Sequence, residues 1–410
     1  METTNHLRGK YAIVGVGETA YIRGAGRTTR SMATEAIKRA MDDAGLQPGE
    51  VDGMMSYSQM DSTLSTFVAG DLGLRLNYFM DVWGGGSSIE ALIGIATGVI
   101  EAGMCNTIAI FRSMNGYSGM RFGGTGKRAA EPLTGDQLHA RAYGWQSPAQ
   151  MFSLSFMHHM YQYGTTPEQV AMVKVVHSEH ASNNPKAIMK KRVSVKDVLN
   201  SRMIVKPLHL LDCCLETDNG TAIIVTRKER AYDLKQRPAL IQAVVGRCSK
   251  PRSDMYYQHG SLSQVAGHYA KDILWKNADC QPEDIDVTGS YDAFTFTSLL
   301  QFEDYGFCQK GEGGEYVSNG TTRLGGKRPN NTSGGHLCEG YTHGISMVIE
   351  NVRQLRGDVD DSCPIGPDGK RQHTHDYREG GCRQQPGVEL TANLGWATPG
   401  TGSAMVMTKG

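Results

Sequence analysis

The chain repeats itself. Residues 41–52 read MDDAGLQPGEVD and residues 275–286 read WKNADCQPEDID. Ala44, Gln47, Pro48 and Asp52 recur 234 positions later as Ala278, Gln281, Pro282 and Asp286, and Ser56-Tyr57 recurs as Ser290-Tyr291. An amphipathic helical pattern precedes each copy, SMATEAIKRAMDDAG in one and GHYAKDILWKNAD in the other. A short apolar strand follows each, VDGMMSYS and IDVTGSYD. Self-similarity of this length means one supersecondary plan used twice. The sequence therefore predicts two related α/β halves, 1–235 and 236–410, each a mixed sheet covered by helices. YAIVGVGE opens the first half, PALIQAVVGR opens the second, and DLKQRP (233–238) reads as the linker.

Length agrees, because 410 residues exceed what one simple core accommodates. The 50 glycines suit an α/β chain with many tight turns. Lysine plus arginine equals aspartate plus glutamate, 42 against 42, which argues against a nucleic acid as the main partner. No run reaches eighteen apolar residues, so no membrane span is expected. METTNHLRGKYAIVGVG has no secretory apolar region, and a cytoplasmic protein is expected. The nine scattered cysteines then read as buried thiols rather than disulfides.

Halves of this kind pack around a pseudo-two-fold, and the site falls where their strand ends and helix N-termini converge. That focuses attention on loops 81–88, 288–294 and 330–345, with 393–404 beside them. Residues 81–96, DVWGGGSSIEALIGIA, run from a glycine turn into a helical pattern. Enzymes often mount a nucleophile at such a turn, where unpaired N–H groups create a positive field. Here the turn is Gly84-Gly85-Gly86. Ser87 and Ser88 follow, but no Ser-His-Asp grouping is visible, and helix N-capping accounts for them.

At these loops the chain resembles the thiolase fold. YDAF (291–294) sits where thiolases carry NEAF or HDCF, and NTSGGHLCEGYTHG (331–344) where they carry N-x-x-G-G…G-H-P-x-G. GGGSSIEAL (84–92) sits where they carry C-A-S-G-x-x-A-L, which places the missing nucleophile at Gly85. NLGWATPGTGSAMVM resembles the last thiolase loop, with Ala397 at the second cysteine. Within that superfamily the pattern is similar to the lipid-transfer-protein-type aldolases of bacterial steroid side-chain degradation. SGMRFG, HASNNPKA, PLHLLDCCLETD, EDYGFCQKGEG, GGHLCEGYTHG and NVRQLRG carry the resemblance along the chain. It implies a thiolase-like αβαβα layering of two pseudo-symmetric halves. It also implies retro-aldol cleavage of a 17-hydroxy-steroid-20-carboxyl-CoA to a 17-ketosteroid and propionyl-CoA.

A retro-aldol reaction needs a base for the β-hydroxyl, a home for the thioester enolate and an acid for its carbon, but no acyl-enzyme. Gly85 and Gly86 can offer backbone N–H groups to an oxyanion and leave room for a ring system. Tyr291 and Tyr341 are the acid and base candidates, in either order. Asp292 beside Tyr291 and His343 near Tyr341 are their candidate activators, while Tyr57, the repeat mate of Tyr291, reads as packing. Ser333, Gly334, Gly335 and Arg121 are candidates for contacting CoA. Cys213-Cys214 reads as core.

DVDDSCPIGPDGKRQHTHDYREGGCRQQPG (358–387) is a polar, turn-rich insertion. Cys363, His373, His375 and Cys382 within it match no common zinc spacing, and a surface or partner-facing loop is the better account. No cofactor is expected, since CoA belongs to the substrate. The resemblance implies a homodimer through the N-terminal half and a heterotetramer with a small OB-fold, zinc-ribbon protein that would hold any zinc. Two rivals stay open: a non-catalytic acyl-CoA-binding scaffold, and an acyltransferase with an unusual nucleophile.

Overall fold

The computed structural model describes residues 5–119, 135–145, 147–253, 259–359, 363, 365, 367, 369, 382–398 and 400–410. In chain order the elements are β1 (Tyr11–Glu18), α1 (Thr29–Ala44), β2 (Gly53–Ser58), α2 (Ser65–Leu72), β3 (Tyr78–Trp83), α3 (Ile89–Glu101) and β4 (Thr107–Asn115). There follow α4 (Asp136–Ala142), α5 (Pro148–Tyr163), α6 (Pro167–Ser182), α7 (Val195–Asn200), β5 (Met203–Val205), β6 (Leu208–His209), β7 (Asp218–Arg227) and α8 (Lys228–Ala231). The rest are β8 (Ala239–Ser249), α9 (Gly267–Ala278), β9 (Val287–Ser290), α10 (Thr295–Asp304), α11 (Gly313–Ser318), α12 (Gly335–Cys338), α13 (Ile345–Arg356), β10 (Leu390–Thr398) and β11 (Thr401–Lys409).

Nine strands run in the order β3-β2-β4-β7-β1-β8-β11-β10-β9. β2 is parallel to β3 and β4, and β9 is parallel to β10; the other pairings are antiparallel. The joint between the halves is slight, because β1 meets β8 only at Ala12–Leu240 and Ile13–Ala239. The helices and strands divide their packing among three separate cores. α1 covers one outer face through Ala33, Ala36, Ile37 and Ala40, packed with Val14, Ala109 and Ile224. α3 and α13 fill the middle, where Ile89, Leu92, Ile345 and Val348 share one core with strands of both halves. α5, α9 and α10 cover the other outer face through Phe152, Leu274 and Phe302. The expected αβαβα layering is what these three cores build.

The sequence repeat has a physical basis. Each amphipathic helix ends on a left-handed residue, Gly45 at φ 76° and Asp279 at φ 57°. A single 3-10 turn follows, in which the acid at the third position accepts from the glutamine N–H: Gln47 to Glu50, and Gln281 to Asp284, both 2.8 Å. The repeated aspartate then fastens the start of a neighbouring strand. Asp52 accepts from the N–H groups of Asn106 and Thr107 before β4, and Asp286 from those of Glu389 and Leu390 before β10. One asymmetry matters for the site. β2 has β3 as an outer neighbour, whereas β9 has only a single bridge, Thr288 to Asn330.

Among the described residues no helix is long and apolar enough to cross a membrane. Cys363 and Cys382 form a disulfide, which corrects the expectation that every cysteine is a thiol. His373 and His375 lie outside the described residues.

Candidate active site

Two equivalent connections meet at the centre. In the first half the edge strand β3 passes through Gly84–Ser88 into α3. In the second half the bridge at Asn330 passes through residues 331–344 into α13. The loop after β9 brings Tyr291 between them.

Tyr291 is fixed by its backbone. Its N–H donates to Leu394 O at 2.9 Å, and its carbonyl accepts from the Thr297 hydroxyl at 2.8 Å and the Gln301 amide at 2.9 Å. Its ring packs against the first loop: a Cβ at Gly86 would come within 2.1 Å of Tyr291 Cε2 and 2.3 Å of its Cζ. Glycine is therefore required at 86 by the tyrosine at 291. Tyr341 is held by the Thr217 hydroxyl, which accepts from its N–H at 3.0 Å, and by the Asn219 amide, which donates to its carbonyl at 2.8 Å. The two phenol hydroxyls stand 2.6 Å apart. Burial pushes both well above the usual tyrosine range, so both are neutral at rest and one hydrogen bond links them.

The first loop supplies backbone. Gly85, Gly86 and Ser87 are buried, and among the described residues no acceptor meets their N–H groups. They precede the 13-residue α3, so these amides lie at the positive end of the helix. The serines do not cap. Ser88 stands at the cap position without a side-chain bond, and the buried hydroxyls of Ser87 and Ser88 have no partner among the described residues. The N-capping expectation fails because Ser88 has helical dihedrals, φ −103° and ψ −32°, rather than the extended ones a capping side chain needs.

Both proposed activators are committed elsewhere. Asp292 accepts from the His336 N–H at 2.9 Å and the Leu337 N–H at 3.3 Å, capping α12, and sits 2.9 Å from His177 Nδ1. Its carboxylate thus engages the second loop and α6. His343 receives Arg112 on Nδ1, from Nε at 3.2 Å and Nη2 at 2.9 Å. Burial and the Arg112 charge hold it down to about 3, so it is neutral, carries its proton on Nε2 and is no base.

The residues expected to touch CoA form a floor. The Ser333 hydroxyl donates to Glu339 Oε2 at 2.6 Å. Gly334, at φ 104°, packs on Ala181, and Gly335, at φ 59°, packs on Asp292 and Asn331. All three are buried, so their hydrogen-bonding groups serve the loop. Arg121 lies outside the described residues, as does the side chain of Ala397.

Three side chains near the tyrosines escaped the sequence reading. His336 stacks edge-on to Tyr291 and tilts against Tyr341, with ring centroids 5.0 and 4.8 Å away. Its Nε2 accepts from Gly344 N–H at 3.2 Å, and burial holds it down to about 4, so it is a neutral wall of the site. Arg112 is fully buried in β4, with Asp61 at 2.5 Å. Glu90, in the first turn of α3, accepts from the Ser403 hydroxyl at 2.7 Å, and burial pushes it up to about 7. His336 and Glu90 stood in quoted motifs without being singled out; a buried charge within a strand, as at Arg112, leaves no sequence signal.

Comparison with known proteins agrees with this geometry. The family described as Thiolase C-terminal domain-like matches residues 253–365. A 17-hydroxy-3-oxo-4-pregnene-20-carboxyl-CoA lyase of Mycobacterium tuberculosis is 37% identical over 358 residues, covering 86% of this chain and 92% of that protein. The chain belongs to the thiolase-like steroid side-chain-cleaving aldolases. A steroid side-chain-cleaving aldolase of Thermomonospora curvata is 36% identical over 374 residues, covering 86% of this chain and 91% of that aldolase. A solved structure described as an Ltp2-ChsH2(DUF35) aldolase superposes with a TM-score of 0.85 at 30% identity, over 98% of each chain. The family members thus include an aldolase with a second protein in its name, and this chain shares that aldolase's whole fold.

Proposed function

We propose that the protein is a carbon–carbon lyase that splits a 17-hydroxy-steroid-20-carboxyl-CoA into a 17-ketosteroid and propionyl-CoA. The observation that carries this reading is the pair of phenol hydroxyls 2.6 Å apart, facing a turn without a nucleophile. One phenol accepts the 17-hydroxyl proton as its own proton moves along the shared hydrogen bond to the other. The C–O bond becomes C=O, and the electrons of the broken C–C bond pass into the thioester as an enolate. The amides of Gly85, Gly86 and Ser87 stabilise the enolate oxygen. The second phenol, hydrogen-bonded to the first, passes a proton to the enolate carbon and gives propionyl-CoA. Because the two hydroxyls share a hydrogen bond, the proton removed from the substrate can return through the pair. The sequence of steps is redox-neutral, so the reading calls for no cofactor.

The same reading extends to assembly and setting. β3 is the outer edge of the sheet, with Phe79 and Trp83 exposed along it, and it supports a homodimer formed through the N-terminal half. A small OB-fold, zinc-ribbon partner completes a heterotetramer in the cytoplasm, and any zinc resides in that partner.

The test is turnover of the steroid-CoA by the chain with its OB-fold partner, beside Tyr291→Phe and Tyr341→Phe, with both products followed by mass. Formation of both, with a large loss in either variant, supports the reading. Tight binding without cleavage in every protein points to the binding scaffold instead.

A further inference from the structure

Arg112 is an expensive side chain to place where it stands. It is fully buried at the site end of β4, and its counter-charge Asp61 is buried with it. Bringing such a pair out of water gains little stability compared with apolar residues of the same volume. Its contacts go beyond the pair. Nη1 donates to Ser113 O at 2.7 Å, Nη2 reaches both Asp61 and His343 Nδ1, and Nε reaches the same imidazole nitrogen. The guanidinium lies 5.6 Å from the Tyr57 ring centroid, and the Tyr57 hydroxyl donates to His343 O at 2.9 Å. His343 is thereby gripped at side chain and carbonyl while its backbone holds φ 56°, a left-handed value uncommon for histidine. His343 in turn packs edge-on against Tyr341, with centroids 4.9 Å apart.

We propose that Arg112 is a positioning residue of the lyase site, holding the His343 imidazole in its Nε2–H form against the Tyr341 ring. The proposal rests on the retro-aldolase reading. Its logic is that the phenols need help to ionise. Burial and Cys214 work against ionisation at both rings, the hydrogen bond from Tyr341 works for it at Tyr291, and Arg112 is the cation that works for it at both. An arginine cannot give up its proton, so its charge persists at every working pH. By donating to Nδ1 it also prevents the neighbouring imidazole from becoming a second, competing cation. The face around His343 holds Asp61 and Arg112 from the first half and Tyr341 and His336 from the second, so among the described residues Arg112 is its one fixed positive charge.

The experiment compares Arg112→Met, Arg112→Lys and Asp61→Asn with the wild type, each with its partner protein. The first readout is the nitrogen NMR titration of His343, assigned with His343→Gln, and it needs no substrate. The expected result is a neutral His343 with Nε2–H in the wild type, and a pKa higher by about one unit or more in Arg112→Met. The second readout is the pH profile of kcat. Arg112→Met is expected to lower kcat about 10- to 100-fold, to change KM less than about threefold, and to move the basic limb upward. Arg112→Lys restores the limb in part. Asp61→Asn, which leaves the cation without its counter-charge, moves the limb downward and stands in if Arg112→Met does not fold. His343 titrating alike in wild type and Arg112→Met, or both substitutions moving the limb the same way or not at all, overturns the proposal. A wild type that folds, shows the Nε2–H imidazole and yet cleaves no steroid-CoA refutes the retro-aldolase reading instead, and leaves Arg112 a purely structural clamp.

Discussion

The two loops that lead into α3 and α13 occupy equivalent places in the two halves and are built in opposite ways. The first, Gly84–Ser88, offers the site only main chain: three buried amides and, among the described residues, no side chain with a hydrogen-bond partner. The second, residues 331–344, is crowded with committed side chains. Ser333 goes to Glu339, His336 to Gly344, His343 to Arg112, and Tyr341 to Tyr291. The difference follows from the edges they leave. β3 is a full strand and delivers its loop taut, while the bridge at Asn330 is one pair long, so the second loop is held by side chains instead. A duplicated fold thus separates the two needs of a retro-aldol reaction. On the proposed reading, one half supplies fixed dipoles for the enolate, and the other, with the loop after β9, supplies groups that move protons.

The comparison breaks most visibly at the tyrosines. Tyr291→Phe and Tyr341→Phe are each expected to lower kcat about a thousandfold while calorimetric binding of the steroid-CoA changes little. Turnover near wild-type level in both would remove the proton-moving role from the second half. Next in size is Gly86→Ala. The added methyl displaces the Tyr291 ring, and a misplacement of this kind costs about a hundredfold in kcat. Ser87→Ala and Ser88→Ala serve as its controls, because their hydroxyls bond to nothing described, and changes within about threefold are expected. If the serine variants lose as much as Gly86→Ala, the first loop works through side chains after all.

A smaller effect concerns Glu90 behind the first loop. Its folded pKa, about 7, lies above the unfolded value of 4.5. The folded state therefore binds this proton more tightly, and its stabilising effect is fully present below pH 4.5 and is lost as pH rises toward 7. Glu90→Gln should raise stability by about 2 kcal/mol at alkaline pH and by almost nothing in acid, as read from Tm across pH. An equal change at both ends would mean that Glu90 is ionised in the folded protein. Smallest is the test of the repeat itself. Asp52→Asn and Asp286→Asn should each cost about 1–2 kcal/mol in denaturant unfolding, since each fastens the head of one strand in the same way. Markedly unequal costs would show that the halves share a pattern without sharing its energetics.

The repeat was legible because its contacts are local. Glutamine, proline and an acid three positions on close their own turn, so residue types and spacing state the geometry. The tyrosines were legible through their motifs. Their partners were not, because adjacency along the chain does not carry over to the site: Asp292 follows Tyr291 but turns to α12, and His343 meets an arginine 231 positions away. Ser333, Gly334 and Gly335 showed their type but not their depth, which depends on α6 passing beneath them at Ala181. The serines after the glycine turn had the composition of caps, and only the dihedrals at Ser88 show that they are not.

The contact of the Tyr291 ring with the Gly86 backbone also constrains history. No side chain at 86 is compatible with a tyrosine at 291 in this geometry. In any lineage that reached this site from one bearing a side chain at 86, that side chain had to go before the tyrosine became useful. The same dependence runs in reverse: a side chain placed at 86 requires the second half to give up or move Tyr291.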